Sequence, residues 1–264
     1  MAKDDFFEVQ RKAVETSDGS VELPILYYDV SIIQAFFWCD LDCVAAKLKG
    51  TDLAPVRSFT GKALAGIFFF EYRDTTISSY NECGLAVMVR PETASKPLFP
   101  TIDFFRKPDA RTVGFYVVDL PVTTEAACVA GRELWGYPKF VTEIPVKVED
   151  DGVECSVRLP EGNGDIVRFS GRPGTGVSLS AFDLATYSNR NRELVKTNVD
   201  VRAKMKTCLG GDFRVAANDS QHRMAKNIRD LGLDGAKPFL VQRSDHFQAR
   251  LNAGRKIAPW EPSA

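Results

Sequence analysis

Residues 66–72, Gly-Ile-Phe-Phe-Phe-Glu-Tyr, form the apolar stretch on which the fold assignment depends. A short apolar run that is rich in aromatic residues is typical of a buried strand. Residues 113–118, Val-Gly-Phe-Tyr-Val-Val, have the same character. Residues 153–159 instead place an apolar side chain at every second position, which predicts a half-buried antiparallel strand.

Further strand candidates lie on both sides of these runs. They are residues 85–89, 140–148, 166–170, 177–182, 195–201 and 238–250. Helix patterns are fewer: one helix follows Asp40, one covers residues 123–135, and a third lies between Asp219, its expected N-cap, and Gly232, its expected end. Many strands with a few separated helices predict an α+β fold with a large antiparallel sheet or barrel.

Composition limits the classes of function. The chain has 264 residues, with 34 Lys+Arg against 35 Asp+Glu and a net charge of -1. Without a strong basic field, it is not expected to bind nucleic acid. It has no apolar run near the roughly 20 residues that cross a bilayer, and its start lacks the apolar core of a signal peptide. We therefore expect a cytoplasmic protein with no membrane partner. One domain is expected over residues 1–264, with about 20 peripheral residues at the N-terminus and about 10 at the C-terminus.

The cysteines and histidines argue against a metal site. Six cysteines are too few for a disulfide framework in a chain of 264 residues. The one close pair, Cys39 and Cys43, has no further ligands at matching spacing. The two histidines, His222 and His246, lie far from one another in the sequence. We expect neither a metal nor any other cofactor.

The chemically densest segment is residues 131–140, Gly-Arg-Glu-Leu-Trp-Gly-Tyr-Pro-Lys-Phe. Pro138 forces extended backbone after the predicted helix, so Lys139 is expected to open a strand over residues 139–148. The aromatic neighbours of this lysine disfavour its charged form and would favour a neutral, nucleophilic amine. From these residues alone, the favoured interpretation is a lysine whose stem lies on aromatic rings and whose amine reaches water.

Two motifs instead favour a reactive lysine at position 139. Residues 131–134 followed by residues 137–139 resemble the signature of the acetoacetate decarboxylase family. The resemblance implies that Lys139 forms a Schiff base with a ketone. Upstream, residues 80–84, Tyr-Asn-Glu-Cys-Gly, are similar to a second family segment that carries an active-site acid. The resemblance gives that role to Glu82, and it extends over most of the chain.

Two departures from the family pattern concern charge. Family decarboxylases often carry a second lysine where this chain has Phe140, and an arginine on the first strand where it has Val30. Three other arginines could supply a positive charge from neighbouring strands: Arg57, Arg73 and Arg90. Schiff-base chemistry is therefore better supported by the sequence than decarboxylation is.

The family resemblance implies a cone-like, closed antiparallel β-barrel with helices around it, and a cofactor-free homo-oligomer acting on a small keto acid. In the leading hypothesis, a carbon–carbon lyase decarboxylates a β-keto acid through Lys139, and Glu82 transfers protons. The alternatives are an aldolase–dehydratase or cyclase that acts on a 2-oxo acid such as pyruvate, and a barrel that binds carbonyl compounds without turnover. Five further residues are predicted to bind substrate: Tyr137, Glu133, Arg132, Phe140 and Tyr80.

Overall fold

The computed structural model describes residues 5–94, 103, 106–149, 151–209 and 211–257. The strands are β1 (Lys12–Thr16), β2 (Gly19–Leu23), β3 (Ile25–Cys39), β4 (Leu53–Pro55), β5 (Ala63–Thr75), β6 (Tyr80–Pro91), β7 (Gly114–Asp119), β8 (Val146–Val148), β9 (Val153–Arg158), β10 (Asp165–Gly171), β11 (Val177–Ser180), β12 (Leu184–Arg190), β13 (Glu193–Arg202), β14 (Lys204–Leu209), β15 (Arg214–Ala217), β16 (Leu240–Leu251) and β17 (Arg255–Lys256). The helices are α1 (Leu41–Lys47), α2 (Glu125–Trp135) and α3 (Arg223–Asp230), with a 3-10 turn at Pro108–Ala110. Within these ranges, no helix is long and apolar enough to cross a bilayer.

Seven strands close into a barrel in the order β16-β3-β5-β6-β7-β12-β13, and β13 pairs back to β16. Six of these seven pairings are antiparallel, and the pair β7–β12 is parallel. The predicted α+β fold with a closed β-barrel is confirmed, with one parallel pair that the sequence did not indicate.

The central parts of β5, β6 and β7 are buried on both faces, which explains the apolar runs in the sequence. On β5, Ile67 and Phe69 belong to an outer core between the barrel and a second sheet, of order β15-β10-β9-β8, with α1 and α3. Phe68 and Phe70 belong to apolar clusters inside the barrel. The outer core supplies much of the apolar burial that stabilises the fold. The interior of the barrel therefore need not be filled completely by side chains and can hold a site.

Two local predictions are wrong. His222, not Asp219, is the N-cap of α3, because its Nδ1 accepts a hydrogen bond from the Met224 amide at 3.2 Å. The strand expected over residues 139–148 reduces to β8 and a single bridge between Val141 and Val122. The bridge stays isolated because Val122 belongs to no strand, so no neighbouring ladder extends past it.

The end of α2 determines where residues 137–140 lie. Gly136 has φ of 71° and donates its amide hydrogen to the Arg132 carbonyl. The Tyr137 amide donates to the Gly131 carbonyl at 3.0 Å. The Gly136–Arg132 bond is that of an αL cap, which needs a left-handed residue at the turn. The cap reverses the chain and leads it directly into the segment with Lys139.

We expect alanine at Gly136 to be much more destabilising than alanine at Gly232. Both glycines have left-handed backbone, with φ of 71° and 70°, so each substitution costs about 1–2 kcal/mol in strain. A Cβ at Gly136 would lie 2.4 Å from the Asn189 carbonyl oxygen, whereas one at Gly232 meets nothing within 4 Å. Urea unfolding should therefore show an additional loss of about 1–3 kcal/mol for Gly136→Ala. Equal losses for the two variants would contradict the described packing of the cap.

Candidate active site

The barrel encloses a cavity of about 130 Å³. Its apolar wall comes from six barrel strands and the loop after β7, and consists of Phe68, Phe70, Gly84, Ala86, Phe115, Val117, Leu120, Leu184, Val199, Phe247, Ala249 and Leu251. The polar groups on the wall are those of Tyr27, Tyr72, Glu82, Tyr137, Lys139 and Thr186. A few polar groups in an apolar enclosure of this kind are typical of a small-molecule site.

Lys139 and Glu82 form a buried ion pair at this wall. The Lys139 Nζ lies 2.6 Å from Glu82 Oε2, and the two side chains are 6% and 8% exposed. The other carboxylate oxygen of Glu82 accepts a hydrogen bond from the Tyr72 hydroxyl at 3.2 Å. Glu82 faces inward on β6, opposite Phe70 of β5. The pair places an amine and a proton-accepting group side by side in the cavity.

Helix α2 packs directly against the stem of Lys139. A Cβ added at Gly131 would lie 2.4 Å from both Cδ and Cε of the lysine, closer than real atoms approach. The glycine is therefore required for the lysine to occupy its place. On the other side, the Pro138 carbonyl accepts a hydrogen bond from Arg223, which pairs with the buried Asp119 at 2.9 Å. These contacts fix both the backbone and the stem of Lys139.

Three tyrosines lie behind the ion pair. The Tyr72 ring centroid lies 4.6 Å from those of both Tyr27 and Tyr80, and the hydroxyls of Tyr27 and Tyr80 are 3.2 Å apart. The Lys139 Nζ lies 5.7 Å from the Tyr80 ring centroid, within reach of a cation–π attraction. Burial raises the pKa of all three phenols, and the nearby Glu82 carboxylate acts in the same direction. They are neutral hydrogen-bonding groups at ordinary pH.

Tyr137 lines the cavity beside the ion pair. Its hydroxyl is 2.8 Å from Thr186 Oγ1, and its ring stacks on Trp135 at a centroid distance of 6.0 Å. Burial raises the pKa of Tyr137 to about 12, which keeps the phenol neutral. Of the five residues predicted to bind substrate, Tyr137 lines the cavity and Tyr80 lies next to the lysine.

The structure places the other three outside the cavity. Arg132 and Glu133 are exposed on the outer face of α2. Glu133 accepts hydrogen bonds from the amide and the hydroxyl of Ser17, which lower its pKa. The Phe140 side chain packs against the outer core, with its ring 5.0 Å from that of His222. Since extended backbone alternates its faces, Lys139 points inward and Phe140 points outward.

None of the three candidate arginines lines the cavity. Arg57 is exposed, and Arg73 forms an ion pair with Asp29 at 2.7 Å. The Arg90 guanidinium donates to backbone carbonyls at the end of its own strand. Val30 is fully buried among apolar residues inside the barrel. Among the described residues that line the cavity, Lys139 is therefore the sole cation.

Sequence reasoning missed Tyr27 and Tyr72, which complete the polar end of the cavity. Tyr72 occurs in a segment read only for strand character, and Tyr27 lies in β3, which the sequence did not predict as a strand. The signal that could have found Tyr72 is its hairpin register, since it stands opposite Tyr80, two residues from Glu82. That register becomes visible only when β5 and β6 are paired.

A second buried lysine lies outside the cavity and gives a pH-dependent prediction. Lys196 Nζ donates to the carbonyls of Pro108 and Arg111, both at 2.6 Å. Burial, with a contribution from Arg255, lowers its pKa from 10.5 to about 8. Because the unfolded chain holds this proton up to higher pH, the free energy of unfolding should rise between pH of about 8 and 10.5.

Chemical denaturation across this pH window measures the contribution of Lys196. Lys196→Met should remove part of the rise, whereas Lys226→Met, at an exposed position on α3, should leave it intact. An identical pH dependence in the wild type and both variants would contradict the assigned shift.

Comparisons with known proteins match this chain to a family. The family model described as Acetoacetate decarboxylase (ADC) matches residues 13–206. The acetoacetate decarboxylase of Legionella pneumophila subsp. pneumophila str. Philadelphia 1 has 17% identity and a TM-score of 0.65, covering 89% of this chain and 87% of that one. An acetoacetate decarboxylase-like enzyme from Sphingomonas wittichii RW1 has 15% identity and a TM-score of 0.62, covering 90% and 94%.

A third similar structure is the enduracididine biosynthesis enzyme MppR complexed with pyruvate. It has 12% identity and a TM-score of 0.61, covering 91% of this chain and 93% of that one. At these identities the structures share the fold. A search of curated protein sequences gave no significant match.

Proposed function

Because the chain belongs to the acetoacetate decarboxylase family, we propose that it is an enzyme in which Lys139 forms a Schiff base with a small carbonyl compound. One observation carries the proposal: the Lys139 amine lies 2.6 Å from the Glu82 carboxylate, and both side chains are almost fully buried at the wall of the cavity. A nucleophile within hydrogen-bond distance of a base is the arrangement that amine catalysis needs.

The first steps follow from this pair. Transfer of the ammonium proton to Glu82 gives a neutral amine and a carboxylic acid side by side. The amine adds to the substrate carbonyl carbon, and the carbonyl oxygen leaves as water after taking two protons, one from the amine and one from Glu82. The product is an iminium on Lys139 beside a Glu82 carboxylate. The neutral hydroxyl of Tyr137, which lines the cavity, can donate a hydrogen bond to the oxygen as it leaves.

The iminium attracts electrons, so an enamine can form from it in two ways. A β-keto acid would lose carbon dioxide, and the electrons of the broken carbon–carbon bond would flow into the iminium. Any other ketone would lose an α-proton to Glu82. Both routes end with protonation or carbon–carbon bond formation at the enamine carbon, followed by hydrolysis, so the enzyme would act as a carbon–carbon lyase.

Decarboxylation of a β-keto acid is supported by the description of the family model. Aldol-type chemistry is favoured by the absence of an arginine among the described wall residues, since decarboxylation needs a bound carboxylate. MppR, which has a similar fold, has been solved in complex with the condensation product of pyruvate and imidazole 4-carboxaldehyde. Homo-oligomeric assembly, a cytoplasmic location and a single domain over residues 1–264 stay predictions.

Isotope exchange tests the proposal without knowledge of the natural substrate. In water enriched in oxygen-18, each cycle of Schiff-base formation and hydrolysis replaces the carbonyl oxygen of a ketone. In deuterium oxide, enamine formation replaces its α-hydrogens. The wild type should catalyse both exchanges, Lys139→Met neither, and Glu82→Gln should lose α-hydrogen exchange by about 10²–10⁴-fold. If the folded protein bound ketones but catalysed no exchange, this proposal would be rejected in favour of a barrel that binds carbonyl compounds without turnover.

A further inference from the structure

We propose that the substrate of this enzyme enters the cavity as an uncharged, apolar carbonyl compound rather than as a keto acid. The inference rests on the proposed Schiff base at Lys139. It concerns the part of the substrate that does not react, and it departs from the keto acid expected from the sequence.

The first argument is the lining of the cavity. Beyond the ion pair, the described wall consists of aromatic and aliphatic side chains, neutral tyrosines and one threonine. Phe68, Ala86 and Phe115 connect it to an apolar cluster that also contains Val56 and Met88. A carboxylate pointing away from Lys139 would face these groups. Burial of an unpaired charge is strongly unfavourable.

The second argument is charge balance. Lys139 and Glu82 together carry no net charge, whichever of them holds the shared proton. When a neutral ketone forms the iminium, the positive nitrogen still faces the Glu82 carboxylate, and the total stays at zero. A keto acid adds a second carboxylate to the same cavity, giving a net charge of one negative unit unless an extra proton enters. Like charges in a buried site disfavour binding.

The third argument is size. A cavity of about 130 Å³ compares with an apolar cavity of roughly 150 Å³ that accommodates benzene, so a ligand of about six or seven non-hydrogen atoms fits. With the carbonyl carbon at the Lys139 nitrogen, the remaining atoms form a short hydrocarbon tail along Phe68 and Phe115. A methyl ketone with a branched or linear chain of a few carbons has this shape.

A neutral substrate also selects the route to the enamine. Without a carboxylate to lose, the iminium must give an α-proton to the Glu82 carboxylate. The enamine carbon then attacks an aldehyde, and the Glu82 proton moves to the aldehyde oxygen, which becomes a hydroxyl. Hydrolysis by one water frees a β-hydroxy ketone and restores the amine. The balanced reaction is ketone plus aldehyde in equilibrium with β-hydroxy ketone, and the enzyme would run it in either direction. The β-hydroxy ketone is the methyl ketone of about six or seven non-hydrogen atoms that the cavity accommodates, so its two fragments are smaller.

Shape-matched pairs of ligands test the inference. Isobutyl methyl ketone replaces the carboxylate of acetoacetate with an isopropyl group at the same number of non-hydrogen atoms, and isopropyl methyl ketone does the same for pyruvate. Each compound is incubated briefly with the protein at low concentration, borohydride is added, and the adduct on Lys139 is quantified by mass spectrometry. The neutral member of each pair should label about tenfold faster or more. Equal or faster labelling by either keto acid, or release of carbon dioxide from acetoacetate, would overturn the inference.

Glu82→Gln tests the charge argument itself. With a neutral amide at this position, the iminium and a substrate carboxylate balance one another, so the ratio of ketone to keto-acid labelling should fall about tenfold or more. Glu133→Gln removes the same charge from the exposed face of α2 and should leave the ratio unchanged. An unchanged ratio in Glu82→Gln would contradict the charge argument.

The labelling results distinguish a failure of this inference from a failure of the proposed function. If no compound of either kind labels Lys139, the Schiff base is absent and both fall. If keto acids label Lys139 well, the Schiff base stands and the neutral substrate is rejected.

Discussion

Replacement of Lys139 by methionine is expected to lower the rate of ketone α-hydrogen exchange by about 10⁵-fold or more, as expected when an essential nucleophile is removed. Methionine keeps the length and apolar stem of the lysine but has no amine to attack a carbonyl. Lys139→Arg is the matched charged control, because the guanidinium preserves the charge beside Glu82 and forms no Schiff base. Retention of exchange by either variant would contradict the assignment of the nucleophile.

The same substitution has a predictable effect on stability. Lys139→Met leaves the Glu82 carboxylate buried without its partner, and breaking such a pair costs about 3–5 kcal/mol. The double variant Lys139→Met, Glu82→Gln removes both charges and should recover most of that loss in urea unfolding. Additive losses in the double variant would show that the two side chains are not coupled as described.

Replacement of Gly131 by alanine is expected to lower the exchange rate by about 10²-fold while the fold persists. The new Cβ would lie 2.4 Å from Cδ and Cε of Lys139, so the flexible lysine must move its amine away from Glu82. A displacement of about 1 Å in a reacting group can cost this much in rate. Alanine favours the helix by about 1 kcal/mol relative to glycine, so α2 itself is not weakened.

Gly152→Ala is the control for Gly131→Ala. A Cβ at Gly152 meets nothing within 4 Å and lies in the turn between β8 and β9, away from the cavity. This variant should keep wild-type exchange. The account of how Lys139 is positioned fails if Gly131→Ala exchanges at the wild-type rate, or if it loses stability in parallel with activity.

The sequence indicated β5 and β7 well because these strands carry their own signal, but it did not predict β3 or β12. Residues 113–118, and residues 66–72 apart from Glu71, are apolar, since one face of each strand packs in the outer core and the other inside the barrel. The closure of the barrel has no comparable local pattern in the sequence. It depends on pairing Val199 with Leu251 and on the parallel contact between Tyr187 and Tyr116. Pairings between segments so distant in the sequence are not determined by local pattern.

At the candidate site, the family motifs identified Lys139 and Glu82, which the structure brings to 2.6 Å. The motif neighbours are less informative, because Phe140 and Glu133 face away from the cavity. Their position follows from which side of an extended segment or helix each residue occupies. The strand expected over residues 139–148 is shortened for another reason. Residues 143–145 lie beside β9, but Pro145 has no amide hydrogen to donate, so the regular ladder begins only at Val146.

The most direct test of the central claim is borohydride trapping of the purified protein with a short methyl ketone, followed by peptide mapping. The account predicts one reduced adduct per chain, located on Lys139, and none in Lys139→Arg. Absence of an adduct from the folded protein, or an adduct on another lysine such as Lys196, would contradict it.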